Sequence, residues 1–237
     1  MNQKMKKSAE LFRIFIFAGI FLELIITAYL LHETFIIEKV GWNYLIDTYF
    51  LGFYRHPVMI FALYSLILLS KYITDVLSGQ NSDENNQRHK KLLVVSLFSF
   101  ILWFFISIYL IWRDICTPEY FISPYYENIE VFSYYLYLVN HFLLPLIPLC
   151  FIGLIIWLFS IENANRLKTV LKWFNVIAAA WVLVSLLIFI EVLIRGLLSH
   201  YSSLFFIIYE ILMDIIYILI PLSLLVFSVR CAKTIKN

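Results

Sequence analysis

The stretch Leu204–Ser228, LFFIIYEILMDIIYILIPLSLLVFS, is long and apolar enough to cross a bilayer, yet it carries two acidic residues, Glu210 and Asp214. A membrane-spanning helix needs about 20 mostly apolar residues at about 1.5 Å rise each. Residues three, four and seven apart share a helical face, so this helix has a polar stripe formed by Ser203, Glu210, Asp214, Tyr217, Pro221 and Ser228. An ionised acid in mid-bilayer costs about 2.5–3.5 kcal/mol, so we expect protein, from this chain or another, to cover the polar stripe.

The composition of the whole chain is that of a membrane protein. Of its 237 residues, 62% are hydrophobic and 14% are charged, and the mean hydropathy is +0.87. No ordinary soluble core could bury this much apolar surface. The net charge of +2 gives no electrostatic support for binding nucleic acid, so the partner that the composition predicts is the lipid bilayer.

The apolar runs predict an all-α polytopic membrane protein with six transmembrane helices in a single domain that covers residues 1–237. The predicted spans are about 11–31, 57–74, 92–112, 135–159, 172–198 and 204–228. Pro57 suits the first turn of the second span, where a missing N–H costs nothing. Pro145 and Pro148 should kink the fourth span. The aromatic connection 32–56 is expected to lie at the membrane surface.

The distribution of lysine and arginine predicts how the chain is threaded. If six spans cross the membrane, one side receives only Lys39, Arg55, Arg113 and Arg195 of the 18 lysines and arginines. The other side holds both termini and all the remaining basic residues. Basic residues accumulate on the cytoplasmic side of membrane proteins. We therefore expect both termini in the cytoplasm and the protein in the plasma (inner) membrane of a prokaryote.

Several titratable side chains fall within the predicted spans. Counted from the outer span ends, Glu23, His141, Glu191, Glu210 and Asp214 lie about 9–15 Å deep, on four different spans. With Arg195 and Tyr217 on two of the same spans, they form a predicted intramembrane polar cluster of Glu23, His141, Glu191, Arg195, Glu210, Asp214 and Tyr217. Such a cluster can handle protons or cations, with His141 as a relay. The same groups can equally serve as structural links between helices.

Local pairing offers a simpler explanation for part of this cluster. Glu191 and Arg195 are four residues apart and can neutralise each other on their own helix. Glu210 and Asp214 are also one turn apart, and two acids so close in a low dielectric do not both ionise readily. We expect one of this second pair to be protonated unless a cation binds.

Motif searches favour no catalytic or cofactor chemistry. Glu191, Arg195 and Gly196 resemble half of the E-E-x-x-x-R-G motif of the abortive-infection type of intramembrane endopeptidases, but Ile190 replaces the first glutamate and the expected histidine signature is missing. The three cysteines show no Cys-x-x-Cys spacing. Histidines near the outer span ends lack the facing positions that a haem requires. We predict no enzyme activity, no metal and no cofactor.

Two functions remain open on the sequence alone. The first is a non-enzymatic integral membrane subunit that acts through partner proteins or self-assembly, as in a secretion, defence or mobile-element system. The second is a small proton- or cation-linked transporter, or an ion-conducting protein, that uses its intramembrane acids. The polar stripe and the lack of a catalytic motif favour the subunit, whereas acids at similar depth favour transport. We expect a protein partner or a homo-oligomer in the first case.

Overall fold

The computed structural model describes residues 3–32, 55–78, 83–116, 136, 139–140, 142–159, 164–198 and 204–234. These residues form six helices: α1 Gln3–His32, α2 Arg55–Leu77, α3 Asp83–Cys116, α4 Leu146–Phe159, α5 Ala164–Leu198 and α6 Leu204–Thr234. The connection 32–56 that is predicted to lie at the membrane surface falls, beyond His32 and before Arg55, outside the described residues. The regular structure described is helical throughout, as the apolar runs predict.

Five of the helices are long and apolar enough to cross a membrane. The exception is α4, whose 14 residues reach only about 21 Å, whereas a hydrocarbon core is about 30 Å thick. Large apolar side chains cover the outside of the bundle, with Phe98 67% exposed and Leu183 64% exposed. The chain is therefore a membrane-embedded multi-pass helical protein.

The predicted fourth span is interrupted at its first proline. Residues 142–143 are helical, Leu144 and Pro145 form a turn, and α4 begins at Leu146. Pro145 has no N–H for the preceding turn, but its carbonyl accepts the N–H of Leu149, at 3.2 Å. Pro148 then falls in the first turn of α4, where no N–H is needed. Most of the stretch 135–141 lies outside the described residues, so the count of six spans stays a prediction.

The helices form a closed ring in which each packs against the next along the chain and α6 packs against α1. Contacts between α1 and α6 recur every seven residues: Thr234 with Met5, Phe227 with Phe12, and Ile220 beside Gly19. A seven-residue repeat is typical of long helices that cross at about 20°. The two helices are antiparallel, and the start of α1 and the end of α6 lie at the same end of the bundle.

Aromatic rings join α3, α4 and α5 in the core. The ring of Phe151 lies 4.8 Å from that of Phe100 and 5.9 Å from that of Trp181, between ring centroids. Trp181 in turn lies 5.8 Å from Trp103. Phe100 and Phe151 are fully buried and the two tryptophans nearly so. These edge-on and offset contacts give the short α4 a fixed place in the ring.

Candidate functional site

The described part of the polar stripe of α6, from Asp214 to Ser228, faces other helices of this chain. The hydroxyl of Tyr217 donates a hydrogen bond to Oε1 of Glu23 on α1. Six residues before the end of α6, the hydroxyl of Ser228 donates to Oδ1 of Asn175 on α5. Pro221, between Tyr217 and Ser228 in the stripe, is buried. Hydrogen bonding of polar groups within the bundle removes the cost of exposing them to lipid. Ser203 and the side chain of Glu210 lie outside the described residues.

Glu23 is buried deeply, with 2% of its surface exposed. It sits one turn after Gly19, and a Cβ atom placed on Gly19 would approach the side chain of Ile220 on α6 to 3.0 Å. The missing side chain at Gly19 thus lets α1 approach α6 closely just below Glu23. One turn further on, the hydroxyl of Thr27 donates to the backbone carbonyl of Glu23, at 2.7 Å. Gly19 and Glu23 therefore both contact α6.

A cavity of about 50 Å³ lies against Tyr217, the residue that donates to Glu23. Its polar lining comes from Ser185 on α5 and from Asp214 and Tyr217 on α6; the apolar lining is Met59, Trp103, Leu144, Trp181 and Ile188. A polar cavity of this size has room for a water molecule with several hydrogen-bonding partners. Tyr217 therefore contacts both Glu23 and the cavity that Asp214 also lines.

Glu191 lies at nearly the same level as the cavity along the axis of the bundle. The Ser228–Asn175 hydrogen bond fixes the register of α5 against α6. Measured from those residues, Glu191 lies about 24 Å along α5 and Asp214 about 21 Å along α6. Glu191 is 3% exposed and follows Ile188 of the cavity wall by three residues, which places it on nearly the same helical face. Three acids from three helices thus lie within the same part of the bundle.

The remaining predicted cluster residues are not brought into this site by the described structure. His141 lies outside the described residues, as do the side chains of Arg195 and Glu210, so the pairs Glu191–Arg195 and Glu210–Asp214 stay predictions. Within the part of the chain that is described, no group of three His, Cys, Asp or Glu residues is arranged to hold a metal ion.

Sequence reasoning missed part of the cavity wall. Ser185, Trp181 and Met59 carry no signal of their own in an apolar span, because serines and large apolar residues occur on every face of such helices. Trp103 is the exception, since it shares a face with Ser96, Ser99 and Ser107. The hydroxyls of Ser99 and Ser107 donate to carbonyls four residues earlier on the same helix, at 3.0 Å and 2.9 Å.

No family model matches this chain, and no curated protein or solved structure shows significant similarity to it.

Proposed function

We propose that this chain is a small proton-linked transporter or proton-conducting membrane protein, with Glu23 as its central proton-binding group. The observation that supports the proposal is the hydrogen bond from Tyr217 to buried Glu23 beside a polar cavity that also contains Asp214. Intramembrane acids that face a bundle interior commonly belong to ion pathways or proton relays.

The arrangement suggests a division of roles between the groups. Tyr217 donates to Oε1 of Glu23, a hydrogen bond that the carboxyl group can accept in both its ionised and its protonated form. Asp214 and Ser185 line the cavity on the other side of Tyr217, where a water molecule can connect them to its hydroxyl. Glu191 lies toward the α5–α6 connection and supplies a further carboxyl group along the same route. A proton could therefore pass between Asp214 and Glu23 without crossing apolar core.

The proposed setting is the inner membrane of a prokaryote, with six spans and both termini in the cytoplasm. Its support is the biased distribution of lysine and arginine between the two sides. A hydrogen bond of 2.9 Å from Arg230 to the backbone carbonyl of Lys4 joins the end of α6 to the start of α1. An even number of crossings accounts for ends that lie together.

A non-enzymatic subunit that works through partner proteins or as a homo-oligomer is the other proposal from the sequence. The sequence favours this proposal chiefly because the polar stripe of α6 must be covered by protein. The hydrogen bonds of Tyr217 and Ser228 supply that covering within one chain. We therefore place transport first, and sizing of the purified protein in detergent, alone and with co-expressed candidate partners, tests the subunit proposal.

Proton flux into liposomes tests the transport proposal. The full chain is reconstituted with a pH-sensitive dye inside, and a pH step is applied across the membrane. We expect the wild-type protein to dissipate the gradient faster than protein-free vesicles do. Glu23→Gln should abolish the difference, and Tyr217→Phe should slow it by about tenfold or more, because the relay hydroxyl is lost.

A matched control uses the other glutamate of α1. Glu10 is exposed, so Glu10→Gln removes one carboxyl group from the same helix without touching the cavity. Flux in this variant should equal that of the wild type. Equal flux in the Glu23→Gln and wild-type proteins, or no flux above empty vesicles under any gradient, would overturn the proposal.

A further inference from the structure

A second concavity lies on the outer surface, away from the polar cavity. It is a groove between α4 and α5 with a volume of about 380 Å³, and its walls are apolar. Leu154 and Ile177 form buried parts of its lining, whereas Gly153, Val176 and Ala180 are exposed. A Cβ atom added to Gly153 would meet no neighbour within 4 Å. The small residues therefore leave a real depression on the surface that faces lipid.

The length of the groove matches one leaflet. Its α5 wall runs from Trp173 to Val184, which corresponds to about 16 Å along a helix axis. Half of a hydrocarbon core of about 30 Å is about 15 Å. A single acyl chain could thus lie along the groove through the full thickness of one leaflet.

Positive charge stands at one end of the groove. Trp157 near the end of α4 and Trp173 near the start of α5 both line it at that end. Lys172 is exposed one turn before Val176, and the half-buried Lys168 lies one further turn toward the start of α5. Tryptophan prefers the headgroup layer, and lysine near a membrane surface attracts anionic lipid. The apolar groove, the two tryptophans and the two lysines thus follow one another along α5. A phospholipid has the matching order, in which the acyl chain is followed by the interfacial region and then by the phosphate group.

We propose that this groove binds one anionic phospholipid, with an acyl chain against Gly153 and Ala180 and the phosphate group beside Lys172 and Lys168. The groove is distinct from the polar cavity, since no residue lines both, although Leu143 and Val184 of the groove are next in the chain to Leu144 and Ser185 of the cavity. Binding would hold the short α4 against α5 from the lipid side.

Native mass spectrometry of the full chain tests this site. The probes are dioleoylphosphatidylglycerol and dioleoylphosphatidylcholine, added in equal amounts to the detergent-purified protein. We expect one phosphatidylglycerol to stay bound in preference to phosphatidylcholine. Lys168→Gln with Lys172→Gln should lower that preference by about tenfold, because each lysine near a membrane surface contributes separately to attraction of anionic lipid.

Filling the groove separates its role from general surface charge. Gly153→Leu and Ala180→Leu should each displace the retained lipid, while the adjacent exposed residue Ala179, which does not line the groove, provides the control Ala179→Leu. Exposed Lys90 and Lys91 on α3 supply the charge control. Equal retention of both lipids by the wild type, or a full preference in Gly153→Leu and Ala180→Leu, would overturn the site. Retention lost equally in both lysine pairs would also overturn it.

Discussion

At the scale of single residues, Tyr217 is the residue on which the polar cavity depends most. Its hydroxyl donates to a glutamate that is 2% exposed, in a part of the chain surrounded by apolar side chains. A buried acceptor that loses its donor retains the cost of its desolvation. The role of Tyr217 therefore has a structural component that can be measured separately from flux.

Tyr217→Phe should destabilise the protein by about 1–3 kcal/mol, because the ring still packs but Glu23 loses its donor. The measurement is the thermal unfolding midpoint in detergent. Tyr64 is 48% exposed on α2, so Tyr64→Phe is the control, and it should leave the midpoint nearly unchanged. A midpoint for Tyr217→Phe that equals the control would mean that the hydrogen bond contributes nothing to stability.

The sequence identifies only part of the site at this scale. Glu23, Asp214 and Tyr217 stand out because a polar group within an apolar span is costly and must be explained. Ser185 and Trp181 do not stand out, since nothing in their own spans distinguishes them from neighbouring serines and tryptophans. Ser185 and Trp181 reach the cavity because of which helices pack together. The sequence of a single span does not predict which other helices it will contact.

At the scale of helices, α1 packs against α6 along a regular line of contacts. The seven-residue repeat brings Met5, Phe12 and Gly19 against Thr234, Phe227 and Ile220 in turn. Small residues allow such long helices to approach closely in a membrane, where apolar burial alone gives little driving force. Gly19 is the small residue nearest to Glu23, so packing at Gly19 positions the carboxyl group.

Gly19→Leu should lower the thermal unfolding midpoint, since overpacking a tight contact costs about 1–3 kcal/mol. The same substitution at Gly153 is the matched control, because nothing stands within 4 Å of an added Cβ there. A midpoint for Gly19→Leu at or above that for Gly153→Leu, measured in detergent without added lipid, would contradict the close packing of α1 and α6.

Helix boundaries show where sequence patterns reach their limit. The predicted starts and ends of the long spans fall inside the observed helices, which extend further because polar ends continue the helix beyond the apolar part. Pro57 lies in the first turn of α2, as predicted. The fourth span differs: Pro145 and Pro148 are equivalent in the sequence, yet only Pro145 interrupts the helix. The position of each proline relative to the helix start decides the outcome.

At the scale of the whole molecule, the ring of helices places the start of α1 beside the end of α6. The sequence predicts this through the charge of the connections, but it does not predict that α6 closes on α1. Ring closure depends on interhelical contacts such as Tyr217 with Glu23, which join residues far apart in the chain. Spacing within one helix carries no information about such partners.

Cysteine labelling tests the threading of the whole chain. Cys116 is exposed at the end of α3, and Lys233 is exposed at the end of α6. In a variant that retains only Cys116, we expect a membrane-impermeant maleimide to label intact cells. In a cysteine-free protein that carries Lys233→Cys, labelling should require permeabilised cells. Labelling of both positions in intact cells would contradict the predicted orientation.

Infrared difference spectroscopy of the reconstituted protein across a pH jump measures directly whether Glu23 binds a proton inside the membrane. We predict a carboxylic-acid carbonyl band that appears on acidification, persists in Glu10→Gln, shifts in Tyr217→Phe and disappears in Glu23→Gln. The shift is expected because the phenol hydrogen bond polarises that carboxyl group. A difference spectrum that is the same in Glu23→Gln and the wild type would show that Glu23 does not change protonation. That result would contradict the proposal that Glu23 is the central proton-binding group.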